Sequence, residues 1–269
     1  MSELSLPPAP YDRPEINALI FHPRPDYGLS PPAGAEDHWI PVTPEISLGA
    51  RFFFSDPTGP HLLFFHGNGE IVSDYDDVGP LYTQLGLSLL AIDYRGYGKS
   101  QGAPSVGTLL SDALTSFDLV YESIREQGRT GPFLVMGRSL GSAPAIEIAS
   151  KRMEKLAGVI IESGFAYSLP LLKLIGIPAD VLGLEEKDGF RNFQKIAHIT
   201  KPTLILHAQW DELIPLTEAD TLLKLSGARR KELIVIPRAG HNDIMALCGL
   251  EYFKTIARFA NSLKPRGKP

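Results

Sequence analysis

The stretch Phe133-Leu134-Val135-Met136-Gly137-Arg138-Ser139-Leu140-Gly141-Ser142-Ala143 constrains this chain more than any other. Four apolar residues stop at a glycine, a serine follows two positions later, and a second glycine opens an alanine-rich helical pattern. A strand that turns at once into a helix leaves its turn residue strained, and the positions on either side tolerate almost no side chain. Gly137 and Gly141 clear that space, so Ser139 is pushed up off the end of the strand. Glycine and serine are common, and the five-residue pattern alone says little. Its setting between a strand and a helix gives it weight.

The remaining chain repeats the same rhythm. His61 to Phe65, Leu87 to Ile92, Ala157 to Ile161, Pro202 to His207 and Leu233 to Pro237 are short runs that read as buried strands. Trp39 to Val42 and Gly49 to Ser55 precede them as two more strands, with Pro44 and Gly49 marking the turn between them. Asp74 to Leu85 has the spacing of a short helix. Leu109, Leu110, Ala113, Phe117, Val120, Tyr121 and Ile124 recur at three- and four-residue steps and make an amphipathic one. Ile244 to Leu263 reads as a closing helix. Strands that alternate with helices, most of them apolar on both faces, predict an α/β fold around a mostly parallel eight-stranded sheet with helices on both sides. Ligands of such sheets bind at the carboxyl ends of the strands, so chemistry is expected just after strands.

A chain of 269 residues suits one domain of this kind. Residues 1–36 are proline-rich and read as an arm laid over the surface, with Ile16 to Phe21 as an apolar patch that packs on the body. Residues 37–263 form the α/β domain, and 264–269 a polar tail in which Lys264, Arg266 and Lys268 are solvated. A net charge of −5 leaves no basic footprint for nucleic acid. The single cysteine, Cys248, excludes an intrachain disulfide and offers no metal cluster. Met1 to Pro10 lacks the apolar core of a signal peptide, and no later run approaches the ~18 residues that cross a bilayer. Those features predict a cytoplasmic protein without an integral membrane segment.

A serine hydroxyl is a poor nucleophile at neutral pH and needs a base, usually a histidine whose tautomer is fixed by a carboxylate. Of seven histidines, His241 follows the last strand in Arg238-Ala239-Gly240-His241-Asn242-Asp243, with Gly240 freeing the backbone to present it. His66 and His207 also end strands but sit in loops with other evident work. His22, His38, His61 and His198 lie on arms, turns or strand starts, where a surface position is expected. For the carboxylate, Asp211 lies just beyond the strand ending at His207, and Glu162, after Ile161, is its rival. Glu212 and Asp243 rank below both. Asp243 reads as a helix-start carboxylate facing the dipole. Serine, acid and histidine then follow in the order Ser139, Asp211, His241.

His66-Gly67-Asn68-Gly69, Asp93-Tyr94-Arg95-Gly96-Tyr97-Gly98-Lys99-Ser100, Gly137-Arg138-Ser139-Leu140-Gly141 and Gly240-His241-Asn242-Asp243 together resemble the α/β-hydrolase fold serine hydrolases, from about Ile16 to near the C-terminus. The first and third motifs are most similar to the compact subgroup that includes the depalmitoylases and their bacterial relatives. Their cysteine-rich leader has no counterpart here, and the acid loop carries His207-Ala208 where histidine-glycine is usual. The resemblance implies an oxyanion hole made by the N–H groups of Leu140 and Asn68, each such donor contributing about 3 kcal/mol to an acyl-transfer transition state. It also implies that residues 165–199, crowded with Leu169, Leu171, Leu172, Leu174, Ile175, Ile177, Val181, Leu182 and Leu184, form a small cap over the site. Those leucines either line a pocket for an apolar acyl group or pack on the core. Asp93, Arg95, Gly96, Gly98 and Ser100 are expected to form a structural turn bracing the elbow, and Arg138 an ion pair to a neighbouring loop.

The function expected is a serine esterase or thioesterase that needs no metal or organic cofactor and takes a small, apolar acyl ester or thioester. A hydrolase-shaped binding or scaffold protein is the alternative from another class, with acyltransferase or peptidase chemistry on the same three residues. Aspartate-nucleophile chemistry is disfavoured by the serine at position 139.

Overall fold

The computed structural model describes residues 9–28 and 30–264. Most of Met1 to Pro10, and Arg266 and Lys268 of the tail, lie outside the described residues. Eight strands form one sheet: β1 (Ala35–Pro41), β2 (Ser47–Phe53), β3 (His61–Phe65), β4 (Ser88–Ile92), β5 (Phe133–Arg138), β6 (Gly158–Glu162), β7 (Thr203–Ala208) and β8 (Lys231–Ile236). Their order across the sheet is β1-β2-β4-β3-β5-β6-β7-β8. The first two pairings, β1 with β2 and β2 with β4, are antiparallel, and every later one is parallel.

Nine helices accompany the sheet among the described residues: α1 (Pro14–Ile20), α2 (Gly79–Gln84), α3 (Val106–Glu126), α4 (Ser142–Lys151), α5 (Leu169–Leu174), α6 (Asn192–His198), α7 (Leu216–Leu225), α8 (Ile244–Cys248) and α9 (Leu250–Asn261). Successive strand residues point to opposite faces, and both faces are covered. Leu63, Phe65, Val135, Val159, Ile161 and Ile205 pack in one apolar layer with Ile16 of α1, Phe117 of α3, Ile146 of α4 and Ile196 of α6. Leu62, Phe64, Leu134, Met136, Ile160 and Leu206 pack in the other with Tyr82 of α2 and Phe253 and Ile256 of α9. Double-sided burial is why these strands read as uninterrupted apolar runs rather than alternating ones.

Several local expectations are corrected. Asp74 to Leu85 is not one helix: a short 3-10 turn at Val72–Tyr75 precedes α2, which starts at Gly79 with Pro80 in its first turn. The closing helix breaks at Gly249, which stands between α8 and α9 with a φ of +51°. His61 is fully buried rather than at the surface. No helix among the described residues is long and apolar enough to cross a membrane.

The segment after β6 carries α5 and α6 and folds back over the sheet end. Glu218 on α7 accepts the N–H groups of Ala166 and Tyr167 at 2.7 and 2.9 Å, and Asn192 donates to the Phe165 carbonyl at 2.9 Å. Tyr11 meets Ser168 at 3.2 Å, and Arg13 donates to the Leu182 carbonyl at 2.6 Å, so the N-terminal arm is tied to this segment.

Candidate active site

Ser139 stands between β5 and α4 with a φ of +53°, in the left-handed region that a non-glycine residue seldom adopts. The strain is imposed by close packing. A methyl group at Gly137 would fall on the Gly141 carbonyl, and one at Gly141 on the carbonyl of Phe65. Both glycines are therefore required for β5 to run straight into the helix and lift the serine off the sheet.

The His241 loop follows β8, as the strand-end rule predicts. The Ser139 hydroxyl donates to His241 Nε2 at 2.9 Å, and His241 Nδ1 donates to Asp211 at 2.8 and 2.9 Å. That pattern fixes the tautomer with Nε2 free to accept. Asp211 also accepts the N–H groups of Leu213 and Ile214 at 3.1 and 2.7 Å. Burial pushes the Asp211 carboxyl up, but the hydrogen bond and charge of His241 and the Ile214 N–H outweigh it, and the group lies below the ordinary aspartate value. The Asp211 and His241 loops are zipped together by Trp210 N–H to the Ala239 carbonyl at 2.8 Å and Gln209 N–H to the Ile236 carbonyl at 3.0 Å.

The other candidates take supporting places. Glu162 makes no hydrogen bond to His241; it accepts from the Tyr252 hydroxyl and pairs with Arg138 Nε at 3.3 Å. Burial raises its carboxyl, against the opposing pull of Arg138 and Tyr252. Glu212 accepts the His241 backbone N–H at 3.0 Å, and Asp243 accepts the Gly240 N–H at 2.6 Å. His207 donates to the Ile214 carbonyl at 2.8 Å and lies 3.6 Å from Asp211; burial lowers its pKa. It props the acid loop from below.

Asn68 and Leu140 both line the cavity that Ser139 opens into. Among the described residues, no hydrogen bond engages the Asn68 N–H. Both ends of its side-chain amide are engaged: Oδ1 accepts from Tyr97 Oη at 2.6 Å and from His22 N–H at 3.0 Å, and Nδ2 donates to the Ile20 carbonyl at 2.7 Å. The Asp93-to-Ser100 motif braces this loop rather than the elbow. Asp93 faces His66 Nε2 at 3.1 Å and accepts Val72 N–H at 2.9 Å, while Tyr94 donates to the His66 carbonyl at 2.5 Å.

The cavity holds about 380 Å³. Asn68, Arg138, Ser139, His241 and Asn242 make its polar end; Phe165, Leu171, Leu172, Ile175, Phe190 and Ile214 make its apolar walls. The leucine-rich segment both packs on the core and lines this cavity. Ile177 and Leu184 pack on the core, Ile175 lines the cavity, and Leu171 and Leu172 do both. Ile20 and His22 of the arm also line it, a role missed in the sequence because nothing in an arm's composition says where it docks.

The family model described as serine aminopeptidase, S33, matches residues 57–179, a span that holds the 67–69 loop and the elbow and ends before Asp211 and His241. The chain is 29% identical over 247 residues to the α/β hydrolase domain-containing protein WAV2 of Arabidopsis thaliana, covering 86% of this chain and 80% of that protein. It is 31% identical over 231 residues to an uncharacterised protein of Mycobacterium tuberculosis, covering 85% of this chain and 79% of the relative. Among solved structures, an esterase of Pyrococcus furiosus superposes with a TM-score of 0.72 at 17% identity, over 90% of this chain and 97% of that one. On this sequence identity, with the sheet and elbow described above, the chain belongs to the α/β-hydrolase family.

Proposed function

We propose that this hydrolase cleaves carboxylic esters or thioesters through an acyl-enzyme on Ser139. The observation that carries the reading is the relay from Ser139 Oγ to His241 Nε2 at 2.9 Å and from His241 Nδ1 to Asp211 at 2.8 Å, opening into a cavity with apolar walls. Ser139 attacks the acyl carbon while His241 takes its proton and Asp211 stabilises the imidazolium. The N–H groups of Asn68 and Leu140 hold the oxyanion. His241 then hands its proton to the leaving alcohol or thiol, and water releases the acid by the same path reversed. Every step is supplied by side chains and backbone of this chain.

The likeness to an esterase structure supports the same direction through the fold. The cavity walls favour an acyl group over a charged peptide. Replacing Ser139 with alanine is expected to lower turnover of para-nitrophenyl butyrate by at least about 10³-fold and to abolish labelling by a fluorophosphonate probe, with an unchanged circular dichroism spectrum. A folded Ser139→Ala protein that still takes the label would refute the assignment.

A further inference from the structure

We infer that Arg138 is a positioning residue that locks the oxyanion loop and the base loop to the nucleophile strand, with Glu70 and Glu162 as its two anchors. The inference rests on the serine-hydrolase reading and adds a residue that the relay itself does not contain. Arg138 directly precedes Ser139, and only 9% of it is exposed. Its three nitrogens face four partners at three different strand ends. Nη1 donates to Glu70 on the loop after β3, and Nε pairs with Glu162 at the end of β6 at 3.3 Å. Nη2 donates to the carbonyl of His241 at 3.0 Å and to Asn242 Oδ1 at 2.9 Å.

Each anchor reaches further. Glu70 also accepts the Gly67 N–H at 2.7 Å and the Tyr75 hydroxyl at 2.6 Å, so one side of Arg138 is bolted to the loop that carries the Asn68 N–H. The other side holds the backbone of the base. Gly67 records the closeness of fit: a Cβ there would lie 2.6 Å from Arg138 Nη1. The glycine of the first loop and the arginine of the elbow are thus one packed unit. Burial disfavours the guanidinium charge, but Glu162 and Glu70 outweigh it and keep the group protonated. All three guanidinium nitrogens of Arg138 face partners of the protein itself, and the side chain also lines the cavity that Ser139 opens into.

A lysine keeps the charge but places it on a single nitrogen, which cannot serve four acceptors lying in different directions. Arg138→Lys is therefore expected to lower the Ser139-dependent kcat for para-nitrophenyl butyrate about 10- to 100-fold, with KM within about twofold, since small misplacements of reacting groups cost that much. Amide hydrogen exchange should quicken at Gly67–Ile71 and His241–Asn242 and stay unchanged in β3 to β7. This exchange readout does not depend on turnover, so it separates failure of this inference from failure of the hydrolase reading, which Ser139→Ala tests. If Arg138→Lys does not fold, Glu162→Gln decides: it keeps the side chain's size, and a three- to tenfold lower kcat with faster exchange at His241–Asn242 is expected. Parent-like exchange in both loops, or kcat within twofold of the parent in the folded variant, overturns the proposal. A lowered melting temperature with unchanged kcat would mean a structural ion cluster and overturns it too.

Discussion

His61 opens β3 with its ring fully buried, Nε2 facing the Pro57 carbonyl at 3.3 Å and Nδ1 without a partner among the described residues. Burial, helped by Arg129 and Arg125 nearby and opposed by the Pro57 carbonyl, lowers its pKa from the ordinary 6.5 to about 4. The sign of the consequence is fixed by linkage. Below 6.5 the unfolded chain binds a proton that the folded chain refuses until about 4, so stability from this residue is present above 6.5 and drains away as pH falls between the two values. Urea unfolding of the parent and of His61→Asn, at about pH 7 and about pH 4.5, should show the parent's advantage shrinking at the lower pH. A gap that stays constant would place the titration elsewhere. Asp211 acts in the same sense lower down: its depressed carboxyl stabilises above the ordinary aspartate range and loses that contribution as pH falls through its folded value. Neither effect is visible in the sequence. A histidine at a strand start looks like a surface residue until the strand is seen between β4 and β5, and only then is its ring inside the protein.

The same division between local pattern and distant contact runs through the elements. Parallel strands β3 to β7 were legible because each is apolar on both faces, and the elbow because its two glycines stand within five residues of chain, although the Phe65 carbonyl that requires Gly141 lies far away in sequence. Asp211 and His241 were legible from their places after β7 and β8. The loop after β3 was legible only in part. Its glycines stand in the sequence, but its rigidity comes from partners 22 to 75 positions away along the chain: Tyr97 and His22 on Asn68, Arg24 on the Gly69 carbonyl at 2.7 Å, and Asp93 beneath His66. One-dimensional spacing cannot report such contacts. The Asn68 side chain makes a specific case. The proposed oxyanion donor is its backbone N–H, which any residue but proline supplies; the amide side chain instead pins the arm through Ile20 and His22. Asn68→Ala keeps the backbone donor and removes these anchors. It is expected to cost roughly 1–3 kcal/mol of stability and to speed proteolytic cutting in the arm before Phe21. Arm cleavage at the parent rate would mean that Tyr11, Arg13 and the apolar contacts of α1 hold the arm without Asn68.

The proposed reaction centre lies where three separately made parts of the molecule meet: the strand-end loops, the leucine-rich segment after β6, and the arm. The loops supply the polar end of the cavity. The other two supply most of its apolar wall, through Leu171, Leu172 and Ile175 from the segment and Ile20 from the arm. These parts are tied to one another as well as to the sheet, since Tyr11 and Arg13 of the arm bond to Ser168 and the Leu182 carbonyl. On the proposed function, substrate choice belongs to the assembled wall, while the relay on the sheet is indifferent to acyl length. At about 380 Å³ the cavity lies near the small end of the range for ligand sites, which suits short to medium acyl groups. Leu172 sits deep in that wall at 4% exposure, so a larger side chain there must take its volume from the cavity. In Leu172→Trp the preferred para-nitrophenyl ester should move toward acetate, with kcat/KM for octanoate falling about tenfold or more relative to acetate, the size of effect that a few methylenes command in an apolar pocket. Leu172→Ala should shift the preference the other way. If both variants keep the parent's chain-length profile while retaining their melting temperature, the acyl group lies outside this wall, and the second cavity beyond Arg138, lined by Val78, Met245 and Phe253, becomes the place to look for it.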